Sequence, residues 1–174
     1  MIDVILEEIT SGFPEKHDFW RVVVRLTIAM LFGAVVGVQR ERSGKPAGVR
    51  THMLVATGSA LFVLGPLEFG MVSDPLSRVI QGLITGIGFL GAGAILKLEA
   101  TRSIEGLTTA AGIWMTAGIG LAVGLGRFGL ALLSVAIAWF VLAVVKRIDH
   151  WLNRNLPNEN KEDETSASGQ ASDV

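Results

Sequence analysis

The sequence predicts an all-α fold: a polytopic transmembrane helical bundle of about five spans, with the N-terminus outside and the C-terminus inside. Three observations predict it. Half of the 174 residues are hydrophobic and only 18% are charged, against about 25% in an ordinary soluble domain. The charges are segregated, leaving five stretches that approach the roughly 20 mostly apolar residues needed to cross a bilayer. Lysine and arginine then collect on alternate connecting segments, as the positive-inside bias requires.

The chain divides into an amphipathic or flexible N-terminal segment (1–19), a transmembrane domain (20–147) and a polar, largely disordered cytoplasmic tail (148–174). In the first segment Ile2, Ile5, Leu6, Ile9 and Phe13 recur at helical spacing with acids opposite, which suits a helix lying on a membrane surface. Asp3, Glu7, Glu8 and Glu15 stand where a signal peptide would be basic. The expected spans are Arg21 to Val38, Thr51 to Leu67, Val79 to Leu96, Leu107 to Leu125 and Leu130 to Val145. The short Gly126–Gly129 connection makes the last two an antiparallel hairpin. A four-span alternative would make the short second segment re-entrant. No Asp or Glu interrupts any span.

With the N-terminus outside, the inner segments collect Arg40, Arg42, Lys45, Arg50, Lys97, Arg102, Lys146, Arg147, Arg154 and Lys161, ten of the fifteen basic residues. Residues Asn155 to Val174 are polar and acidic, with Ser, Gly and Pro and too few apolar groups to build a core.

Gly86, Gly88, Gly91 and Gly93 match the dinucleotide-binding fingerprint in letters. That fingerprint needs a preceding strand and an exposed helix N-terminus, whereas these glycines lie inside an apolar span. Packing accounts for them better. Gly33 with Gly37, Gly82 with Gly86 and Gly120 with Gly124 are four apart, the spacing that lets helix backbones meet closely in lipid. Polar residues within spans are few: Gln81 and Thr85 in the third, Thr108, Thr109 and Thr116 in the fourth, Ser134 in the fifth. Arg25 lies deeper in the first span than a snorkelling arginine needs, where an ionisable group is a functional candidate, with pairing to an acid of the N-terminal segment as the alternative. Arg40, Glu41, Arg42, Arg50 and Thr51, with Glu105 on the same side, make the densest charged constellation. An ion pair between Arg50 and Glu105 would lock its two loops together.

Three phrases together, Gly37 to His52, Gln81 to Ile95 and Glu105 to Trp114, resemble the MgtC/SapB family of bacterial inner-membrane proteins over roughly residues 20 to 145. The positions matching its recurrent motifs are Arg40, Glu41, Arg50, Thr51, Gln81, Glu105, Thr108, Thr109 and Trp114. The resemblance implies a multi-pass protein of the bacterial inner membrane, associated with growth at low magnesium and stress adaptation. Family members have been labelled magnesium transporters or transport accessories. For virulence-associated members the implied role is regulation of a membrane partner, notably the F-type ATP synthase. Those members carry a cytoplasmic ACT-like domain after the last span, where this sequence has its short acidic tail, so a short form is expected.

Two functional classes follow. A regulatory or adaptor protein would use the charged inner face, with another inner-membrane complex, the lipid bilayer or a second copy as partner and no nucleic acid. A magnesium or small-ion transporter is the alternative, although Mg²⁺ is normally held by carboxylates and retained waters. An intramembrane enzyme is not expected: without cysteine, span carboxylates or a histidine counted among the span residues, catalytic residues, metal and cofactor are all lacking.

Overall fold

The computed structural model describes residues 16–71, 74–98 and 103–155, with Met1, Ile2 and Val4. Among them stand five helices and one hairpin, in the order α1 (Lys16–Arg42), α2 (Val49–Glu68), α3 (Asp74–Gly93), β1 (Leu96–Leu98), β2 (Ser103–Glu105), α4 (Leu107–Gly124) and α5 (Phe128–Asn155). The chain forms two compact units, residues 1–142 and 143–174, and the packing below is that of the first. The expected amphipathic helix over Ile5, Leu6, Ile9 and Phe13 lies outside the described residues, as do residues 156–174. Helix α5 continues to Asn155, eight residues into the stretch expected to be largely without structure.

Local chemistry sets the helix ends. α1 carries Asp18 in its first turn and Arg40 and Arg42 in its last, each sign suited to the helix dipole. α1, α2 and α4 each stop in the same way. At the end of α4 the Gly126 amide bonds to Val123 O at 2.9 Å and the Arg127 amide to Ala122 O at 2.8 Å. That is the Schellman arrangement, and it requires a left-handed residue, supplied by Gly126 with φ 74°. Gly70 after α2 and Gly44 after α1 repeat it.

The third span departs from expectation. It was expected to run to Leu96, but α3 ends at Gly93. Within Lys97–Glu105, expected to be a plain loop, the chain pairs antiparallel in the register Leu96↔Glu105, Lys97↔Ile104, Leu98↔Ser103. The Ala94 and Ile95 amides bond back three residues, to Gly91 and Ala92, which tightens the last turn and ends the helix. Gly106, at φ 92°, then turns the chain into α4 so close to Ala94 that a methyl group would collide with its carbonyl oxygen.

Glycine ladders fix the helix directions. A methyl group on Gly33 would come to 2.5 Å from His52 O, and one on Gly37 to 2.6 Å from Val49 Cα, so α1 and α2 are antiparallel. On α4, Gly112, Gly120 and Gly124 face His52, Ala56 and Ala60 in the same order, so α2 and α4 run parallel. α1 is antiparallel to α4, with Arg40 at Thr109 and Arg25 at Gly124.

The larger core cluster joins Ala29 and Val36 of α1, Ala60 and Leu64 of α2, Ile119, Ala122 and Val123 of α4, and Ala131, Val135 and Ala138 of α5. A smaller one joins Ala47, Ile87, Ile113 and Ala117. α4 is the central helix, with ten of its residues buried. Outward, Leu54, Phe62, Phe89 and Phe140 stand more than half exposed, an apolar surface that suits lipid better than water. Three helices, His17–Arg42, Asp74–Gly93 and Leu107–Gly124, are long and apolar enough to cross a membrane, and Phe128–Val144 is a shorter apolar stretch.

Candidate functional site

Where α1, α2 and α4 meet, five polar residues are buried: Arg40, His52, Ser59, Thr109 and Thr116. Arg40 comes from the last turn of α1, His52 and Ser59 from one face of α2, and Thr109 and Thr116 from α4. Arg40 is 4% exposed and its Nη2 donates to Thr109 Oγ1 at 2.6 Å. His52 is fully buried, and its Nδ1 lies 2.7 Å from Thr116 Oγ1. That hydroxyl also donates to Gly112 O, four residues back, at 2.9 Å. Around these bonds, Arg40 Nε, Ser59 Oγ and Gln39 Oε1 are buried without a hydrogen-bond partner among the described residues. The other end of Gln39 donates to Trp139 O at 3.2 Å, tying α1 to α5.

The node exists because the helices around it lack side chains. Gly33 and Gly37 admit the α2 backbone to α1, and Gly120 and Gly124 admit it to α4. Gly112 leaves room at the same level for the His52 ring and the Arg40 guanidinium, 3.6 Å and 4.0 Å from where its methyl group would be. Placing a cation and an imidazole inside an apolar bundle is costly unless each is hydrogen-bonded, so the two threonines are integral to the site.

Arg40 and Thr109 are the two sequence-predicted candidates that meet. Glu41 acts elsewhere: its Oε2 accepts the Val49 amide at 2.9 Å, satisfying one of the donors left open at the start of α2. Arg42, Arg50, Gln81, Glu105, Thr108 and Trp114 are exposed, and Thr51 is half-buried. Gln81 offers its carbonyl to the Thr85 hydroxyl at 2.9 Å. Thr108 borders a groove of about 210 Å³ shared with Val36, Met115 and Ile137. Of the α3 glycines, Gly91 lies beside Ala110, whereas Gly82, Gly86, Gly88 and Gly93 face open space within the chain.

Two expectations are corrected. The ion pair between Arg50 and Glu105 does not form: among the described residues the ion pairs are those of Asp18 with Arg21 and His17. Arg25 Nη1 donates to Gly124 O at 2.9 Å, and the N-terminal acids expected to pair with it, Asp3, Glu7, Glu8 and Glu15, lie outside the described residues. The guanidinium satisfies one of the orphan acceptors at the C-terminus of α4 and lies against Gly126, which has no side chain to obstruct it. The exclusion of histidine from the span interiors also fails, since His52 is in α2 and fully buried.

His52, Ser59 and Gly112 were missed as site residues, and Thr116 was noted only as a span residue. A signal was present: Gly112, Thr116, Gly120 and Gly124 recur every four residues, and His52, Ala56 and Ala60 do the same. Two such ridges can pack in register. Among the described residues no group of three or more His, Cys, Asp or Glu is placed to hold a metal ion.

A helical, outwardly apolar bundle with one short β pair and a polar node sealed by glycine contacts defines a membrane-protein class rather than a soluble one. Residues 26–151 match the model of the MgtC family, and the chain belongs to that family. It is 41% identical over 157 residues to Protein SrpB of Synechococcus elongatus, covering 82% of this chain and 86% of that protein. It is 42% identical over 123 residues to Protein MgtC of Salmonella typhimurium, covering 71% of this chain but 52% of the relative. To the protein named Putative magnesium transporter YhiD in Escherichia coli K12 it is 38% identical over 145 residues, 79% of this chain and 65% of the relative. The chain thus spans about half of Protein MgtC and just under two thirds of YhiD. No solved structure matches it.

Proposed function

We propose that this chain is a multi-pass protein of the bacterial inner membrane that acts by regulating or adapting another membrane complex, in adaptation to low magnesium or other stress, rather than by catalysis. The directions of α1, α2 and α4, with α1 antiparallel to the other two, support a bundle in which successive helices cross the bilayer, α2 and α5 included. The basic α1–α2 turn supports an N-out, C-in orientation. The observation that carries the regulatory reading is the contrast between the interior and that turn. Inside, α1, α2 and α4 are closed by backbone contact at Gly33, Gly37, Gly120 and Gly124. At the turn, Arg42, Lys45 and Arg50 are exposed and have no ion pair among the described residues. Exposed charge near a membrane surface is available to a partner, and charge complementarity steers encounter and register.

The test is capture of membrane complexes by the tagged chain from its own host, with and without Arg42→Ala and Arg50→Ala together. Loss of a specific complex in the double variant supports the reading. Equal capture by both forms removes the turn as its contact surface.

A second reading, transport of magnesium, is favoured by the name of the YhiD relative and by one structural feature. A groove of about 480 Å³ runs between Phe62 of α2 and Val79, Gly82, Gly86 and Leu90 of α3, with Gln81 and Thr85 exposed on the same helix. The groove itself is apolar, whereas Mg²⁺ calls for oxygen ligands, so we rank transport second. Purified chain in sealed liposomes holding a magnesium-sensitive dye separates the two readings. Entry above protein-free vesicles, reduced by Gln81→Leu, establishes transport.

A further inference from the structure

Helix α3 turns its polar side chains away from the bundle. Its two buried residues, Ile87 and Gly91, face the core, while Asp74, Arg78, Gln81, Thr85, Gly88 and Ala92 are all exposed. These six alternate four and three residues apart, the heptad spacing that lines side chains along one seam of a helix. The seam holds no large apolar side chain. It also holds every polar residue of α3 except Ser77, whose hydroxyl donates to Asp74 O at 2.8 Å. Polar side chains in membrane helices ordinarily face the bundle interior. Thr85 is answered by its own helix, its hydroxyl donating to the Gln81 carbonyl at 2.9 Å. The Gln81 side-chain amide has no hydrogen-bond partner among the described residues, and neither Asp74 nor Arg78 is ion-paired among them.

Whatever covers this seam must answer an amide, an acid and a base. At 1.5 Å per residue, Gln81 lies about 10 Å along the helix from Asp74 and Thr85 about 16 Å, so headgroups at the Asp74 end do not serve them. Acyl chains offer an amide no hydrogen bond. A second copy answers all three groups with the same seam. A primary amide carries both donors and an acceptor, so two Gln81 side chains meeting at a two-fold axis exchange N–H···O bonds reciprocally. Asp74 and Arg78 are one turn apart, so two parallel helices in register set each Arg78 beside the partner's Asp74, and opposite charges meet twice. We propose that two copies of this chain pair in the membrane through α3, parallel and related by a two-fold axis, along the seam from Asp74 to Ala92. A two-fold contact uses the same patch on both subunits, which is what a self-complementary seam supplies. Gly88 and Ala92 let the two backbones close together beyond Thr85. A methyl group on Gly88 would meet nothing within 4 Å in its own chain, so one copy alone gives that glycine no packing role. The pairing goes beyond the regulatory reading and takes from it only that α3 crosses the bilayer.

The chain has no cysteine, so single cysteines report contacts directly. Two differently tagged forms of the full chain are expressed together and oxidised in their membranes. The expected result is mixed-tag, disulfide-linked dimers from Thr85→Cys, Gly88→Cys and Ala92→Cys. Leu54→Cys on α2 and Leu133→Cys on α5, both exposed, should give none. Labelling of Asp74→Cys and Ile95→Cys by an impermeant maleimide from opposite sides shows that α3 crosses; labelling from one side removes that reading and the pairing together. Crossing without cross-links specific to α3 overturns the pairing alone, as does a cross-link to a protein other than a second copy. Energy transfer between copies in liposomes then tests the charges. Asp74→Arg and Arg78→Asp each set like charges opposite one another and should weaken pairing about tenfold or more. Mixing the two variants should restore it, because every contact in the mixed pair again joins an arginine to an aspartate. A mixture that pairs no better than either variant alone overturns the proposal.

Discussion

Gly33→Ala tests the packing where α1 crosses α2. The new methyl carbon would lie 2.5 Å from His52 O, 2.9 Å from its carbonyl carbon and 3.0 Å from Ala56 Cβ. Ordinary C···O contacts begin near 3.3 Å, so α1 and α2 must separate locally by about 0.8 Å. The atoms in the way are backbone, which cannot rotate aside. A gap of 0.5–1 Å forfeits roughly a quarter to a half of the dispersion well of each contact along the crossing. Overpacking of this kind costs about 1–3 kcal/mol, whereas replacing a helical glycine by alanine contributes about 0.5–1 kcal/mol in the other direction. The net expectation is a loss of about 1–2 kcal/mol. Gly58→Ala is the matched control, because Gly58 lies in α2 with nothing within 4 Å of its would-be methyl group, and it should be neutral or slightly stabilising. Reversible unfolding in mixed detergent micelles, followed by tryptophan fluorescence, measures both. A Gly33→Ala chain as stable as Gly58→Ala would refute the backbone-contact account of the seam.

Thr109→Val should cost about 1.5–3 kcal/mol in the same unfolding assay, because it leaves a buried guanidinium without its acceptor. Adding Arg40→Met should cost much less than the sum of the single changes, the signature of a shared interaction. Glu41→Ala removes the cap on the Val49 amide and should lower stability by about 1 kcal/mol, measured against an Arg42→Ala control. Arg25→Met leaves Gly124 O unanswered and should speed hydrogen exchange at the end of α4 and in the Gly126 turn, with little change at Thr109, at the far end of α4. Uniform exchange along α4 in that variant would count against a local capping role.

Segments with one dominant signal were legible in the sequence. Long apolar runs bounded by Arg or Lys gave helices close to where they stand, because in lipid every backbone group must be satisfied within the segment. The Gly33/Gly37 and Gly120/Gly124 pairs lie on close helix contacts, but the same spacing at Gly82 and Gly86 faces open space within the chain. Spacing establishes that glycines share a face and says nothing of what that face meets. The β1–β2 pair escaped notice because three-residue strands carry too short a pattern to compete with an apolar run. His52 was passed over because it stands next to a charged turn, where a histidine is ordinarily solvated. Its burial depends on Gly33 and Gly112 arriving from two other helices, which no local window of sequence contains.

The same contacts explain why the charged turn divides its labour. Arg40 and Arg42 are two residues apart, about 200° around a helix, so when α1 presses α2 through Gly37 one guanidinium is carried inward and the other outward. The inward one meets Thr109 on α4. The outward one stays exposed with Lys45 and Arg50. Glu41, between them, is spent on the first amide of α2, which fixes the angle at which α2 leaves the turn. Gly48 makes that possible, since a methyl group there would come to 2.7 Å from the Glu41 carboxylate. A partner pulling on the exposed cations would therefore act on a segment whose geometry is set by Glu41 and Gly48 and whose next buried residues are Arg40 and His52. The surface and the sealed node are then mechanically continuous through fewer than fifteen residues of chain, and a change at either should be read at the other.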